Sequence, residues 1–132
     1  MRQVKFRAWD KVNKKMHYDV GVLGGVVYVD FNGNKEYEEV SGHVLMEYTG
    51  LKDKDGKEIY NGDILKLKEE VYRSNKLITV DVYKRVFYHK RFGQYLLKDD
   101  IGYVEHITHA KVGNVVGNIF ENVELIVSDS HE

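Results

Sequence analysis

His106 and His109 stand three residues apart with Glu105 beside them, the residue types that ligate a transition metal or relay a proton. On one helical turn the two imidazoles would share a face. A zinc centre still needs a third ligand and an open position, and no spacing motif in the chain supplies them. A second candidate is the trio Asp53, Asp55 and Glu58, which hints at a calcium loop. Lys54, Lys57 and the missing later ligand spoil both its charge and its ligand count. Cysteine is absent, so disulfides, thiolate metal sites and thiol nucleophiles are excluded. No Gly-x-Ser-x-Gly elbow is present, and Ser41, Ser74, Ser128 and Ser130 fall in expected turns or ends. The glycines of 21–25 open a strand and precede no helix, which rules out a phosphate loop. The expectation is a protein that is not an enzyme, with no catalytic residue, no metal and no cofactor.

Binding chemistry is better represented. Lys5, Arg7 and Trp9 alternate along one segment, and Arg85, Phe87, His89, Lys90 and Arg91 follow one another in a second. Cations that track phosphates beside rings that stack bases are how small barrels hold single strands. The candidate binding surface is therefore Lys5, Arg7, Trp9, Arg85, Phe87, Lys90 and Arg91. For Trp9 itself the favoured reading is a second covered face, with the Arg7 stem packed on the indole. Asp10 reads as an Asx turn into Asn13. Against nucleic acid stands the charge balance: 20 basic and 21 acidic residues give a net charge of -1 and no whole-protein field.

These side chains must be positioned by short strands. Proline is absent, so Gly, Asn and Asp supply the turns, at Asn32-Gly33, Asp55-Gly56 and Asn61-Gly62 among others. Asp55-Gly56 is expected to close a hairpin across which Leu51 and Ile59 meet. Gly62 and Asp63 launch a strand, the carboxylate accepting nearby N–H groups. Period-two alternation predicts strands near 2–9, 14–20, 25–31, 43–48, 63–69, 77–89, 93–98, 111–119 and 122–127. Lys84 interrupts the apolar face of 77–88 and is read as a bulge or an edge. One short helix, or a single 3₁₀ turn, is expected at 100–108. The fold class is mainly β: an antiparallel small barrel or sandwich, SH3-like in form over the C-terminal two-thirds, with at most one short helix.

The 42% apolar and 31% charged content suits one globular domain over 1–132, with a frayed tail at 128–132. Charges within the first residues do not suit a signal peptide, and no apolar run approaches the roughly 20 residues of a membrane helix. A cytoplasmic location, with no membrane association, follows as the expectation.

Three stretches carry a family resemblance. They are Arg2-Gln3-Val4-Lys5-Phe6-Arg7-Ala8-Trp9-Asp10 with Asn13-Lys14-Lys15-Met16; Leu45-Met46-Glu47-Tyr48-Thr49-Gly50-Leu51-Lys52-Asp53 running through Gly56-Lys57-Glu58-Ile59-Tyr60-Asn61-Gly62-Asp63-Ile64; and Gly117-Asn118-Ile119-Phe120-Glu121-Asn122 with Glu124-Leu125. In this order the chain resembles the YopX-like family of phage and prophage proteins. Val123 departs from the pattern, where such sequences often carry proline. The resemblance implies a fold and a phage or prophage setting in a bacterial host; it implies no reaction. Ten tyrosines, five phenylalanines and Trp9 exceed what a small core hides, and exposed aromatics are enriched at interfaces. The leading expectation is an interaction module that takes a protein partner or forms a homo-oligomer. The alternative is a nucleic-acid-binding small β-barrel.

Overall fold

Turn chemistry sets the strand limits throughout the computed structural model, which describes residues 4–126. Arg2, the end of the strand expected at 122–127 and the tail at 128–132 lie outside the described residues. The chain divides into two compact units, whose boundary falls between Gly50 and Leu51 inside a single strand.

The first unit holds β1 (Phe6–Asp10), β2 (Lys15–His17), β3 (Val20–Leu23), β4 (Val26–Val29), β5 (Glu38–Val40) and most of β6 (Val44–Lys52). β1 lies between β2 and β6, antiparallel to both, with Ala8 opposite His17 and Trp9 opposite Val44. β3, β4 and β5 form a separate three-stranded sheet. Gly24 and Gly25 both take positive φ, the two-residue turn whose twist matches the β3–β4 hairpin. Asp10 closes the β1–β2 turn as an Asx turn. Its Oδ1 accepts the N–H groups of Val12 (3.0 Å) and Asn13 (3.1 Å), and its Oδ2 accepts the Asn13 side-chain amide (2.8 Å).

The second unit holds β7 (Glu58–Tyr60), β8 (Asp63–Arg73), β9 (Lys76–His89), β10 (Gln94–Lys98), β11 (Val104–His106), β12 (Asn114–Asn118) and two 3₁₀ segments, Ile107–Val112 and Val123–Leu125. Five of its strands form an antiparallel sheet in the order β11-β10-β9-β8-β12. The mainly β, antiparallel expectation holds, with helical structure limited to those two segments among the described residues. One sheet face presents Leu65, Leu67, Val86, Tyr95 and Leu97, and Ile59, Ile107 and Ala110 complete the buried cluster. Leu51 packs against this cluster, of which Ile59 is a member.

Lys84 corrects one sequence expectation. It marks neither a bulge nor an edge: β8 and β9 pair without interruption through Leu65 opposite Lys84, and β9 is the central strand. The helix expected at 100–108 is displaced, because Asp99 accepts the N–H groups of Ile101 and Tyr103 and turns the chain into β11. Near the end of the described chain, Gly117 follows a register shift in the β8–β12 pairing. A Cβ there would collide with the Asn122 side chain, so only glycine leaves room for the Asn118–Asn122 turn.

Asp53 organises the second unit. Its Oδ1 accepts from Asp55 N and Lys57 N, each at 2.9 Å, and its Oδ2 accepts from Val115 N at 2.8 Å. Burial alone would raise this carboxyl, but the Val115, Lys57 and Asp55 N–H groups outweigh it and hold the pKa below the usual carboxylate range. Asp53→Asn places an amide NH₂ or a weaker oxygen against those donors and should cost about 2 kcal/mol, read as a lower urea midpoint. A depressed folded pKa gives stability that is present above the unfolded value near 3.9 and lost as pH falls through the folded one. The wild-type advantage over the asparagine variant should therefore shrink below about pH 4.

Candidate functional site

Register decides which of the predicted binding residues reach solvent. Arg7 and Trp9 lie on one face of β1, paired with Met46 and Val44 of β6, and are only 2% and 6% exposed. The Arg7 guanidinium reaches Met46 Sδ at 3.6 Å and lies 6.0 Å from the Tyr18 ring centre. Arg7 and Trp9 therefore drop out of the candidate open binding surface: this sheet is covered on that side as well, as the covered-face reading of Trp9 expected. Lys5 is half-buried, its ammonium 5.4 Å from the Tyr48 ring centre.

The residues of the second unit are more accessible. Arg85 and Phe87 are half-buried on β9, opposite Lys98 and Leu96 of β10. The Lys98 ammonium stands 5.9 Å from the Phe87 ring centre. Lys90 and Arg91 are exposed in the β9–β10 turn, where the His89 and Phe92 rings stack at 4.4 Å. The structure thus gathers Arg85, Phe87 and Lys98 on one strip, with Lys90 and Arg91 at its end. Lys5, Arg7 and Trp9 belong to the other unit.

The His106–His109 candidate resolves into structural roles. His106 Nδ1 accepts from Thr108 N and caps the 3₁₀ segment. Glu105 pairs with His109 at 2.8 Å and with Lys84 at 3.0 Å, and Lys84 also meets Glu69 at 2.7 Å. Burial alone would push the Lys84 ammonium down, yet its hydrogen bonds to Glu69 and Glu105 hold it above the ordinary lysine value. Glu105 is held low, with burial again opposed by Lys84 and then His109. Asp53 and Asp55 are likewise engaged in holding turns, Asp55 accepting from Asn114 at 2.6 Å.

Sequence reasoning missed the convergence of Asp10, His17 and His43 in the first unit. One ligand atom from each lies within 4.8 Å of the others. These residues come from the ends of β1 and β2 and from the position just before β6, so no linear spacing announces them. Only the pairing of β1 with both β2 and β6 could have found them.

Also missed is the ribbon made by β8 and β9. β12 pairs with β8 only over Asp63–Lys66, and β10 pairs with β9 only from Arg85 onward. Beyond these, from Lys68 and Asp81 to the Ser74-Asn75 turn, the two strands bond only to each other among the described residues. Ser74 and Asn75 both take positive φ, the turn a right-twisted ribbon requires. Tyr72 and Leu77, paired at the tip, are 76% and 52% exposed.

No helix of the described residues is long and apolar enough to cross a membrane. Lys84→Met removes the cation between Glu69 and Glu105 and should lower stability by about 1–2 kcal/mol, moderated because both carboxylates are partly solvated. Calorimetric melting at neutral pH checks this, and an unchanged melt would show the pairing to be energetically idle.

A solved structure, that of protein EF1440 from Enterococcus faecalis, is similar to this chain at 29% identity and a TM-score of 0.64. The match covers 96% of this chain and 99% of that one. No curated protein matches it in sequence. The family model described as YopX protein matches residues 5–127, nearly the whole length, and the chain belongs to the YopX family.

Proposed function

We propose that this YopX-family chain is a non-enzymatic interaction module of phage or prophage origin. It acts in the bacterial cytoplasm by pairing a β-strand of a protein partner, in the simplest case a second copy of itself, with the β8–β9 ribbon. The observation that carries this reading is the ribbon's pair of open edges. Unpaired rows of N–H and C=O groups are templates for another strand, and two-stranded ribbons are marginal alone in water. Exposed Tyr72 and Leu77 add apolar area where a partner would close over the tip. The non-enzymatic part is supported by Glu105, the carboxylate beside the histidine pair, which is engaged by Lys84.

Light scattering of the purified protein should report a dimer or larger, or a partner should be retained from host lysate. Tyr72→Lys with Leu77→Lys should weaken that association by tenfold or more while changing stability by less than about 1 kcal/mol. A strict monomer that captures nothing would overturn the proposal.

The Arg85–Phe87–Lys98 strip, with Lys90 and Arg91 at its end, favours single-stranded nucleic acid as the second reading. Such binding weakens steeply as salt rises, whereas protein pairing through strand edges responds little. Binding to DNA and RNA oligonucleotides that is absent, or flat with salt, removes this reading.

A further inference from the structure

The first unit sets two buried imidazole nitrogens that lack a hydrogen-bond partner beside a carboxylate. Asp10 ends β1, His17 ends β2 and His43 stands just before β6. Ala8 opposes His17 and Trp9 opposes Val44, so one further step brings Asp10 level with His43. Because side chains alternate, Ala8, Asp10, His17 and His43 share a sheet face, His17 lying diagonally from Asp10. That face is the opposite one from Arg7 and Trp9.

The geometry is that of lone pairs turned inward. His43 Nδ1 lies 3.2 Å from the Ser41 carbonyl oxygen, which can only accept, so Nδ1 carries the proton of that contact. A neutral His43 then presents a bare Nε2, 3.7 Å from Asp10 Oδ2, too far for a hydrogen bond. The His43 and Asp10 side chains are only 11% and 7% exposed. His17 Nε2 and His43 Nε2 are both buried without a hydrogen-bond partner, an arrangement native interiors avoid. The two imidazole centres are 5.9 Å apart at 30°, and Phe31 walls the His17 ring at 5.1 Å, edge to face. Burial first, and then His43, pushes His17 below the ordinary imidazole value, which favours the neutral, ligating form.

The carboxylate is oriented before any ion arrives. Val12 N, Asn13 N and Asn13 Nδ2 all donate to Asp10, the outer-shell support that metal-binding carboxylates characteristically have. Lys15 opposes Asp10 in the pairing, but it is exposed and its charge is screened by water.

We propose that Asp10, His17 and His43 form a binding site for a divalent transition-metal ion of the zinc type, with one coordination position left to water or an outside ligand. Two imidazole nitrogens and one carboxylate oxygen suit zinc or cobalt. Calcium and magnesium, which take oxygen donors, are poorly served. Tetrahedral ligands at about 2.0–2.1 Å from zinc stand roughly 3.4 Å apart. The present separations, up to 4.8 Å, close to that value with small side-chain rotations.

Titration of Co²⁺ and Zn²⁺ into the chelator-treated full chain tests this by calorimetry, visible absorption and imidazole nitrogen NMR. One ion per chain is expected, with low-coordinate cobalt bands and shifted Nε2 signals from His17 and His43. His17→Gln and His43→Gln should each weaken binding by about 100-fold or more, and Asn13→Ala by about tenfold. Melts in chelator matching wild type show that the variants still fold. The NMR signals report on the unaltered chain should a variant fail to fold. Absence of binding at about 100 μM ion, two imidazoles that stay unshifted, or binding abolished by His109→Gln instead would overturn the site.

Discussion

A chain without proline has to hold its turns some other way, and here acidic and amide side chains do so by capturing main-chain N–H groups. Asp53 shows what this achieves: one carboxylate takes two donors from its own turn and a third from Val115 at the far end of the unit. Seven polar or charged residues are buried among those described, and five of them (Asp10, Asp30, Asp53, Asp63 and Asn118) serve this purpose. Buried donors left unanswered would cost roughly 1–3 kcal/mol each, so these contacts help fix the limits of the strands they flank. They depend on charge as well as shape. A protonated Asp53 would exchange part of its acceptor capacity for a donor facing three N–H groups.

That dependence explains why the three family-bearing stretches are rich in Asp, Asn and Gly and poor in reactive groups. Asp10 with Asn13, Asp53 with Gly56, Asp63 with Gly62, and Gly117 with Asn118 and Asn122 are all turn-makers. Belonging to the YopX family therefore specifies a scaffold. Chemistry and partners have to be sought on the surfaces the scaffold presents, chiefly the bare ribbon and the inward face of β1.

How much of this was legible follows from what alternation can encode. β9 was plain, because its β-branched and aromatic residues alternate over a long run. β5 and β7, three residues each, carry too few residues to show a period. β8 runs four residues past its expected end because Glu70 to Arg73 pair along an open ribbon, where no face has to be apolar. Residues 104–106 fall inside the short helix expected at 100–108, yet they are a strand whose last residue, His106, caps a 3₁₀ turn. Lys84 misleads because a single strand cannot say what charge waits across the sheet; the covered face of Trp9 was one of the readings open at that position.

The Asp10 cluster separates fold from ligand in a way the sequence hides. Asp10 was readable as an Asx turn, and it is one; the turn closes through Val12 and Asn13 with no ion required. His17 and His43 lie just outside the family-bearing stretches and contribute nothing to that turn. Two imidazoles have thus been set beside a carboxylate already fixed for structural reasons, so the acid side of the site is organised at no additional entropic cost. Ion binding and folding are then distinct properties of one face. Losing the imidazoles leaves the turn intact, whereas losing the carboxylate removes both the turn and the third ligand.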